Sequence, residues 1–544
     1  MAAAGIAIAL FLALQFFLLL GPHPFDPAKY FSTAVHFPNV GADLWTLRIG
    51  LVAPVVVAVR LMGSNEAALY AVPLAAGVLL VTAVYGTMLA LFRDRILAVA
   101  AALVAALNTD FLLNSSFLFP DTAATATFAT GFLFLVLGGL TARASNPWVP
   151  RGAVLAAGFF FGWTYLIRDF SPILTPTVVA AALVLHYPWR RLGLMAAAAV
   201  TTGMLEFVYG ALQYGKPFIH LEKLLAHRDQ AFTPSRAITI ENVQRETQNP
   251  GGALLVLPRI ILSWSSGWFL LLLAPIFVVA LVLIRDRRLW VLATWCLGFW
   301  IAMVCLALGE LPSGRWIVNT TNVRYWYPLF PALAMSGFAG LWLLVRRFTP
   351  PPRALVVAQL AVVALAALIL VPGVAEFKSC TPEKVWRNDP MVRWHELRSW
   401  LATDEAASFD KIVTDRITAR EMDPVFLSAL AGDRVWSGTV KPWPQTGERI
   451  EPTEARDTSM ILLNRRRLSL LPDSEAKIQA LMSEWRPVFV SGDGALVLLA
   501  HGPAGAGEAA MPSPWWERTT ERADPRWGCG INPFANRPDV APAR

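Results

Sequence analysis

Long apolar runs alternate with short polar connections over the first 373 residues of the chain. Runs of about 20 apolar residues are long enough to cross the hydrocarbon core of a bilayer as helices. About eleven runs are predicted to do so, at residues 3–21, 67–92, 95–113, 121–141, 152–167, 171–187, 191–210, 259–284, 288–308, 326–345 and 354–373. The pattern therefore predicts a polytopic α-helical membrane protein.

Arginine clusters occupy every second connection between these runs. They are Arg93 to Arg95, Arg143 to Arg151, Arg190 with Arg191, Arg285 to Arg288, and Arg346 to Arg353. Cytoplasmic loops of membrane proteins carry an excess of Lys and Arg. The clusters therefore predict a multi-pass protein of the plasma (inner) membrane with a cytoplasmic N-terminus. Connections 22–66 and 211–258, and everything after about residue 374, then face outward.

The segment 47–62 is apolar but short, and it includes Arg48, Pro54 and Arg60. If it crossed the membrane, every later connection would change sides and the arginine clusters would face outward. We therefore predict that it forms an amphipathic helix lying along the outer membrane surface.

After about residue 373 the apolar runs give way to short strand and helix patterns. Strands are predicted at 411–415, 433–436, 460–463, 487–491 and 495–499, and helices at 421–430 and 474–485. Gly492-Asp493-Gly494 would form the turn of a hairpin. The predicted organisation is a membrane domain at 1–373, an extracytoplasmic α/β domain at 374–501 and an irregular tail rich in Pro, Gly and Ala at 502–544.

The composition supports a membrane protein and argues against a nucleic-acid-binding one. Only 15% of the residues are charged, against about 25% in soluble domains. The net charge is +8, but the excess lies in the arginine clusters, and the polar segments lack a basic stripe with stacking aromatics. Cys380 and Cys529 both fall in the predicted outer part, where a disulfide is chemically permitted, and their spacing leaves the pairing open.

Ionisable side chains gather on the predicted outer side, and their cost near a membrane makes their positions informative. They are Asp26, Lys29, Asp110, Asp121, Arg168, Asp169, the group from His220 to Asp229, Arg315 and Arg324. Each has a structural alternative, such as a helix cap for Asp121 or an aromatic interface belt for the residues after Arg324. Their joint occurrence on one side favours chemistry at the outer membrane surface.

The order of these groups resembles that of GT-C membrane glycosyltransferases, especially protein O-mannosyltransferases and lipid A aminoarabinose transferases. The residues that carry the resemblance are Asp26 with Tyr30, Asp121, "GWTYLIRDFSP" with Arg168, His227-Arg228, and "VRYWYPLFPALA" with Arg324 and Tyr325. The resemblance covers about residues 1–345. The chain departs from the family at Pro27, where an acid is common, and at Arg168, where the family has Lys. Frequent Arg and Ala suggest a GC-rich bacterium, such as an actinobacterium.

The resemblance implies inverting transfer of a sugar, mannose or a pentose, from a polyprenyl-phosphate donor. The acceptor would be an envelope glycan, a glycolipid or an exported protein. By this resemblance the catalytic candidates are Asp26 as general base and Asp121 as a second base or an orienter, the donor phosphate is held by Arg168, Arg228 and Arg324, and Lys29, Tyr30, His227 and Tyr325 bind substrate. The prenyl tail would lie in a groove lined by Trp264, Trp268 and Phe269.

Three questions stay open at the level of the sequence. His23, Asp26, His36, His220 and His227 do not form a ligand pattern, so no metal site is predicted and a divalent cation remains an alternative. A lipid or small-molecule transporter is the main functional alternative, although the sequence has neither repeated halves nor broken mid-membrane helices. A non-catalytic envelope scaffold would need neither Asp26 nor Asp121.

Overall fold

The computed structural model describes residues 2–17, 26–107, 117–141, 148–169, 171–230, 271–313 and 323–379 of the predicted membrane domain. In the C-terminal part it describes residues 390–415, 435–442, 459–464, 485–492 and 496–501, and a few isolated positions elsewhere. Cys380 and Cys529, the tail from residue 502, and the proposed groove residues Trp264, Trp268 and Phe269 lie outside the described residues.

Up to residue 379, the described residues form α-helices joined by short connections. They are α1 Ala2–Phe17, α2 Asp26–His36, α3 Ile49–Met62, α4 Glu66–Phe92, α5 Arg95–Leu107, α6 Pro120–Leu140, α7 Trp148–Ile167, α8 Thr175–Val184, α9 Trp189–Gly203, α10 Leu205–Tyr214, α11 Ile219–Gln230, α12 Leu273–Leu283, α13 Arg287–Ser313, α14 Leu329–Phe348 and α15 Pro351–Ser379. Short 3₁₀ turns, Ser171–Leu174 and Val323–Trp326, precede α8 and α14. The predicted helical class is confirmed.

Six helical segments of the described chain are long and apolar enough to cross a membrane. They are Glu66–Phe92, Pro120–Leu140, Trp189–Tyr214, Arg287–Leu306, Leu329–Phe348 and Pro351–Pro372. Each of the other predicted spans coincides with a helix, several of them 10–17 residues long. The chain is therefore a membrane protein, and the count of eleven spans stays a prediction.

The centre of the bundle is formed by α6 and α14. In the most apolar 18-residue stretch of each helix, 72% of α6 and 78% of α14 is buried. Only 28% of the corresponding stretch of Trp189–Tyr214 is buried. Aromatic rings join α6 to α13, because Phe128 and Phe132 each lie about 5 Å from the ring of Trp295 (5.0 and 4.8 Å between centroids). The N-terminal end of α6 lies beside the turn that precedes α14 and beside the end of α7, because Asp121, Pro328 and Arg168 line one small cavity.

The helix α3 packs against α7 and is too short to cross a bilayer. Its 14 residues span roughly 21 Å at about 1.5 Å per residue, less than the roughly 30 Å of a hydrocarbon core. Trp163 on α7 donates its indole N–H to the Gly50 carbonyl at 3.1 Å. A Cβ at Gly50 would come within 2.8 Å of Leu166 and Ile167, so glycine permits this close contact. Its position along the outer surface of the membrane stays a prediction.

The C-terminal part contains a five-stranded sheet in the order β2-β1-β3-β5-β4. Its strands are β1 Lys411–Thr414, β2 Thr439–Pro442, β3 Ser459–Asn464, β4 Trp485–Val490 and β5 Leu496–His501, and a helix, α16, covers Pro390–Leu401. β1 is parallel to β2 and β3, whereas β5 is antiparallel to β3 and β4. The hairpin between β4 and β5 is confirmed, and Gly494 in its turn has a φ of +64°.

Two details of the predicted C-terminal part are wrong. The strand expected at 433–436 lies instead at Thr439–Pro442, because Trp436 packs into the core of this domain and donates its indole N–H to the Phe409 carbonyl at 2.9 Å. Trp485, expected to end a helix, begins β4. Nearly all of the predicted helices 421–430 and 474–485 lies outside the described residues. Arg398 on α16 forms an ion pair with Glu66 at the start of α4, which joins the sheet domain to the helices.

Glycines at helical spacing allow α7 and α9 to approach closely, and this contact can be tested. A Cβ at Gly162 would lie 2.4 Å from the Ala199 carbonyl oxygen, whereas one at Gly193 on α9 would meet nothing within 4 Å. We expect Gly162→Ala to lower the free energy of unfolding by about 1–3 kcal/mol through overpacking. Gly193→Ala is the matched control and should not destabilise the protein. Thermal unfolding in detergent, followed by tryptophan fluorescence, measures both; equal midpoints would contradict the contact.

Candidate active site

Three arginine–aspartate pairs meet where the ends of several helices come together. The pairs are Arg168 with Asp121, Arg324 with Asp26, and Arg48 with Asp169. The charges of all three arginines act on Asp26, which places them in one electrostatic cluster. The sequence predicted Asp26, Asp121, Arg168 and Arg324 as site residues, and the structure brings these four together.

Asp26 is the first residue of α2 and is held by two donors. Trp45 donates its indole N–H to Oδ1 at 2.9 Å, and Arg324 Nη1 lies 3.3 Å from Oδ2. Its side chain is 27% exposed. Burial acts to raise the pKa of Asp26, but the Arg324 charge and the Trp45 hydrogen bond outweigh burial and hold this pKa below its usual value of 3.8. The carboxylate is therefore charged and still accessible.

Asp121 is the second residue of α6, and its side chain is only 1% exposed. Arg168 donates from Nε to Oδ1 at 2.8 Å and again from Nη2, while Arg324 Nε lies 3.9 Å from Oδ2. The first turn of α6 has Phe119 as its cap residue, without a side-chain hydrogen bond. Asp121 thus faces two guanidinium groups instead of capping its helix, and it fixes their relative position.

Arg48 and Trp45 complete the surroundings of Asp26, and neither was among the predicted site residues. Arg48 donates to the hydroxyl of Tyr30, one helical turn after Asp26 on α2, and its Nε lies 3.5 Å from Asp169 Oδ1. Burial raises the pKa of Tyr30 to about 12, so the phenol stays protonated at neutral pH. An arginine at the start of an apolar helix was the available signal for Arg48, because such a charge needs a partner.

A buried histidine extends the cluster away from Asp26. His220 Nδ1 lies 2.6 Å from Glu206 Oε1, and its Nε2 lies 3.9 Å from Asp169 Oδ1. Nδ1 forms a hydrogen bond with Glu206, whereas the contact of Nε2 with Asp169 is longer and only electrostatic. Burial acts to lower the pKa of His220, but the hydrogen bond to Glu206 and the charge of Asp169 outweigh burial and raise this pKa above 6.5. The two acids therefore favour the charged form of His220.

The aromatic ring of Tyr325 lies close to both arginines that face Asp121, namely Arg168 and Arg324. The Arg168 guanidinium carbon is 4.8 Å and that of Arg324 is 5.4 Å from the centre of its ring. Phe119 offers a second ring to Arg324 at 5.5 Å. Aromatic faces attract guanidinium groups and favour planar stacking on them. An aromatic belt at the membrane interface was the alternative for the residues after Arg324. The contacts indicate instead that the rings of Tyr325 and Phe119 orient Arg168 and Arg324.

Of the remaining predicted site residues, Lys29 lies at the exposed edge of the cluster. The side chains of the others lie outside the described residues. Lys29 pairs with Asp43 at 3.3 Å, with its side chain 44% exposed, and lies 3.8 Å from the centre of the Trp45 ring. His227 and Arg228 belong to α11, but their side chains lie outside the described residues. Asp110 and Arg315 lie outside them as well.

An apolar groove opens between α8 and α13, and its lining includes Ile173 in the 3₁₀ turn that precedes α8. Its volume is about 440 Å³, and it is lined by Ile173, Pro176, Thr177, Ala180, Trp290, Ala293, Thr294, Leu297, Gly298, Ile301 and Ala302. Ile173 lies five positions after Arg168 in the sequence, and Trp290 lies near the N-terminal end of α13.

Within the described part of the chain, no three His, Cys, Asp or Glu side chains are placed to share a metal ion.

The buried position of Asp121 predicts a structural cost for its replacement. Asp121→Asn leaves the Arg168 charge buried without its counter-charge, which typically costs about 3–5 kcal/mol of folding free energy. Asp43→Asn is the control, because its pair with Lys29 is exposed and such pairs contribute about 1 kcal/mol or less. Thermal unfolding of both variants should show a large loss for Asp121→Asn only. Similar midpoints would contradict the buried pairing.

The charged state of His220 predicts how stability depends on pH. Because folding raises its pKa, His220 contributes stability that is complete below about pH 6.5 and is lost as the pH rises through the folded-state pKa. The unfolding midpoint of the wild type, minus that of His220→Gln, should therefore shrink as the pH rises above about 6.5. His36→Gln, at an exposed histidine whose bonds stay within α2, is the control. A difference that does not change with pH would contradict the imidazolium.

The fold can be compared with known proteins. No protein-family model and no curated protein sequence matches the chain. Its structure is similar to ArnT, the aminoarabinose transferase, of Cupriavidus metallidurans bound to undecaprenyl phosphate. The TM-score is 0.60 and the identity 13%, over 92% of this chain and 99% of ArnT. It is also similar to the oligosaccharyltransferase of Archaeoglobus fulgidus in its apo form, with a TM-score of 0.54 and 13% identity, over 92% of this chain and 74% of that chain.

At sequence identities this low, a structural match indicates a shared fold but does not identify the substrate. Both neighbours are GT-C membrane proteins, and the likeness extends beyond the first 345 residues into the sheet domain, since it covers 92% of the chain. The chain therefore has the GT-C fold that the order of its charged residues implied.

Proposed function

We propose that this chain is a glycosyltransferase that moves a sugar from a polyprenyl-phosphate donor to an acceptor at the outer face of the plasma membrane. The observation that carries the proposal is a partly exposed carboxylate, Asp26, set among three arginines. In this orientation the N-terminus is cytoplasmic, and the sheet domain lies on the same side as the site. The charged groups lie at helix ends, whereas a transporter would need them near mid-membrane.

The groove between α8 and α13 suits the lipid part of such a donor. Its walls are apolar, it runs along two helices, and it begins five positions after Arg168. A prenyl chain placed there would leave its phosphate at the arginine cluster. The groove expected around Trp264, Trp268 and Phe269 lies outside the described residues and stays a prediction. ArnT, which has the same fold, was solved with undecaprenyl phosphate, and this supports the choice of donor class.

Arginine is suited to the donor phosphate because its planar fork can bind two oxygens at once. Arg324 is the most accessible candidate: its side chain is 16% exposed and lies beside Asp26. Arg168 is more deeply buried and is held by Asp121, so it would act mainly through its charge. Arg228 and His227, on α11, would add donors from the fourth outward loop.

The proposed reaction is a single displacement with inversion. Asp26 Oδ2 takes the proton of the acceptor hydroxyl while that oxygen forms a bond to the anomeric carbon. The bond between the anomeric carbon and the phosphate oxygen breaks, and its electron pair leaves with the polyprenyl phosphate. The arginine charges stabilise the phosphate as it departs. Asp121 serves in this scheme as the orienter of Arg168 and Arg324.

The remaining roles follow from position. Tyr30 and Tyr325 would border the bound sugar and phosphate, and Lys29 would guide the substrate from the solvent edge of Asp26. Mannose or a pentose is proposed as the sugar, and an envelope glycan, a glycolipid or an exported protein as the acceptor. The proposal contains no resident cofactor.

The proposal is tested by transfer assays on membranes that contain the full-length protein. Polyprenyl-phosphate mannose and polyprenyl-phosphate arabinose, each radiolabelled in the sugar, are supplied as donors. Loss of a general base typically costs about 10²–10⁴-fold in rate, so we expect Asp26→Asn to reduce transfer at least about 100-fold. Glu222→Gln, which disrupts an exposed pair with Lys216, should retain the wild-type rate. Wild-type transfer by both Asp26→Asn and Asp121→Asn would refute the assignment.

A further inference from the structure

Both carboxylate oxygens of Asp26 are engaged in the unliganded protein. Oδ1 accepts the Trp45 indole N–H at 2.9 Å, and Oδ2 faces Arg324 Nη1 at 3.3 Å. A general base needs a lone pair directed at the proton that it removes. Each oxygen keeps a second lone pair, but the Arg324 charge beside Oδ2 makes the carboxylate a weaker base. The geometry therefore raises the question of what weakens this pairing before the reaction.

The three arginine–aspartate pairs differ in how easily they can separate. Arg168 and Asp121 are 6% and 1% exposed and share two N–H donors, so a ligand cannot enter between them without opening the core. Asp169 is bound from two sides, by Arg48 and by His220. In the Arg324–Asp26 pair, Nη1 lies 3.3 Å from Oδ2, and the two side chains are 16% and 27% exposed. It is the pair that an incoming anion can reach.

We propose that Asp26 and the donor phosphate compete for Arg324, so that the carboxylate occupies the phosphate subsite in the free protein and is released as a base when the donor binds. This inference rests on the proposed function, and it adds a second role for Asp26. Phosphate is the stronger competitor for a guanidinium fork because it presents more oxygens with more negative charge. Trp45 keeps its hold on Oδ1, so the released carboxylate stays in place.

The exchange would also adjust the chemistry of the base. Arg324 is the strongest of the charges that lower the pKa of Asp26. A phosphate bound to Arg324 neutralises that charge and adds a negative one nearby, so the pKa of Asp26 rises toward or above its usual value. The carboxylate thus becomes a better proton acceptor only while the donor is present. In the free protein it remains paired and inactive.

Binding of undecaprenyl phosphate to the purified full-length protein tests the competition directly. In Asp26→Asn the competing charge is absent, and we expect this ligand to bind roughly threefold to tenfold more tightly than to the wild type. A residue that acted only as a base would leave the affinity unchanged. Asp26→Glu keeps the charge on a longer side chain and should bind no more tightly than the wild type. Affinities are measured in detergent by fluorescence, with the unfolding midpoint of each variant recorded.

A double-mutant cycle identifies Arg324 as the shared partner. In the background of Arg324→Gln, Asp26→Asn should no longer tighten binding, because the two changes act on one contact. Glu222→Gln is the matched control: it also removes one acid and frees one cation, Lys216, but at a pair whose side chains are 53% and 60% exposed. It should change the affinity less than about twofold, as expected of exposed pairs.

The outcomes separate this inference from the proposed function. Tighter binding by Asp26→Asn that disappears in the Arg324→Gln background supports the competition. Equal affinities of the wild type and Asp26→Asn, or equal tightening in both backgrounds, overturn the competition and leave the donor class intact. If no protein binds undecaprenyl phosphate, the proposed donor class itself fails. Should Asp26→Asn unfold, Asp26→Ala and the affinity of Arg324→Gln alone serve the same comparison.

Discussion

The need to neutralise three guanidinium groups at the ends of apolar helices governs the site. A charge withdrawn from water is costly unless another charge faces it, and each of Arg48, Arg168 and Arg324 faces an aspartate. The pairs form a gradient of burial, from the closed Arg168–Asp121 pair to the more open one of Arg324. This gradient separates a fixed part of the site, which sets the geometry, from a part that a substrate anion can enter.

The fold places these charges together from distant parts of the chain. Arg324 and Asp26 are 298 positions apart in sequence, yet they meet because the 3₁₀ turn before α14 contacts α6, while α2 packs on α3, which contacts α7. Small residues make this possible: Gly50 lets α3 approach α7, and Gly162 lets α7 approach α9. Close helix packing is therefore the means by which acids and arginines share a small volume.

Much of the fold and part of the site could be predicted from sequence. Apolar periodicity identified the helices, and the spacing of charged residues identified Asp26, Asp121, Arg168 and Arg324, which the structure brings together. Trp45, Arg48 and Glu206 were not expected at the site. Trp45 in a polar connection has no distinctive local pattern, whereas Arg48 and Glu206 are charged residues of apolar segments and each needed a partner. The strand expected at 433–436 was misplaced because apolar character marks burial, and Trp436 is buried as a side chain outside a strand.

The sequence by itself determined that this chain forms apolar helices and that most of its charged residues stand between them or at their ends. These properties are local or additive: the cost of a polar group in a bilayer and the period of a helix act on each segment separately. Only the tertiary structure decided which acid faces which arginine and how accessible each pair is. Pairing depends on the relative rotation and depth of several helices, and no single segment contains that information.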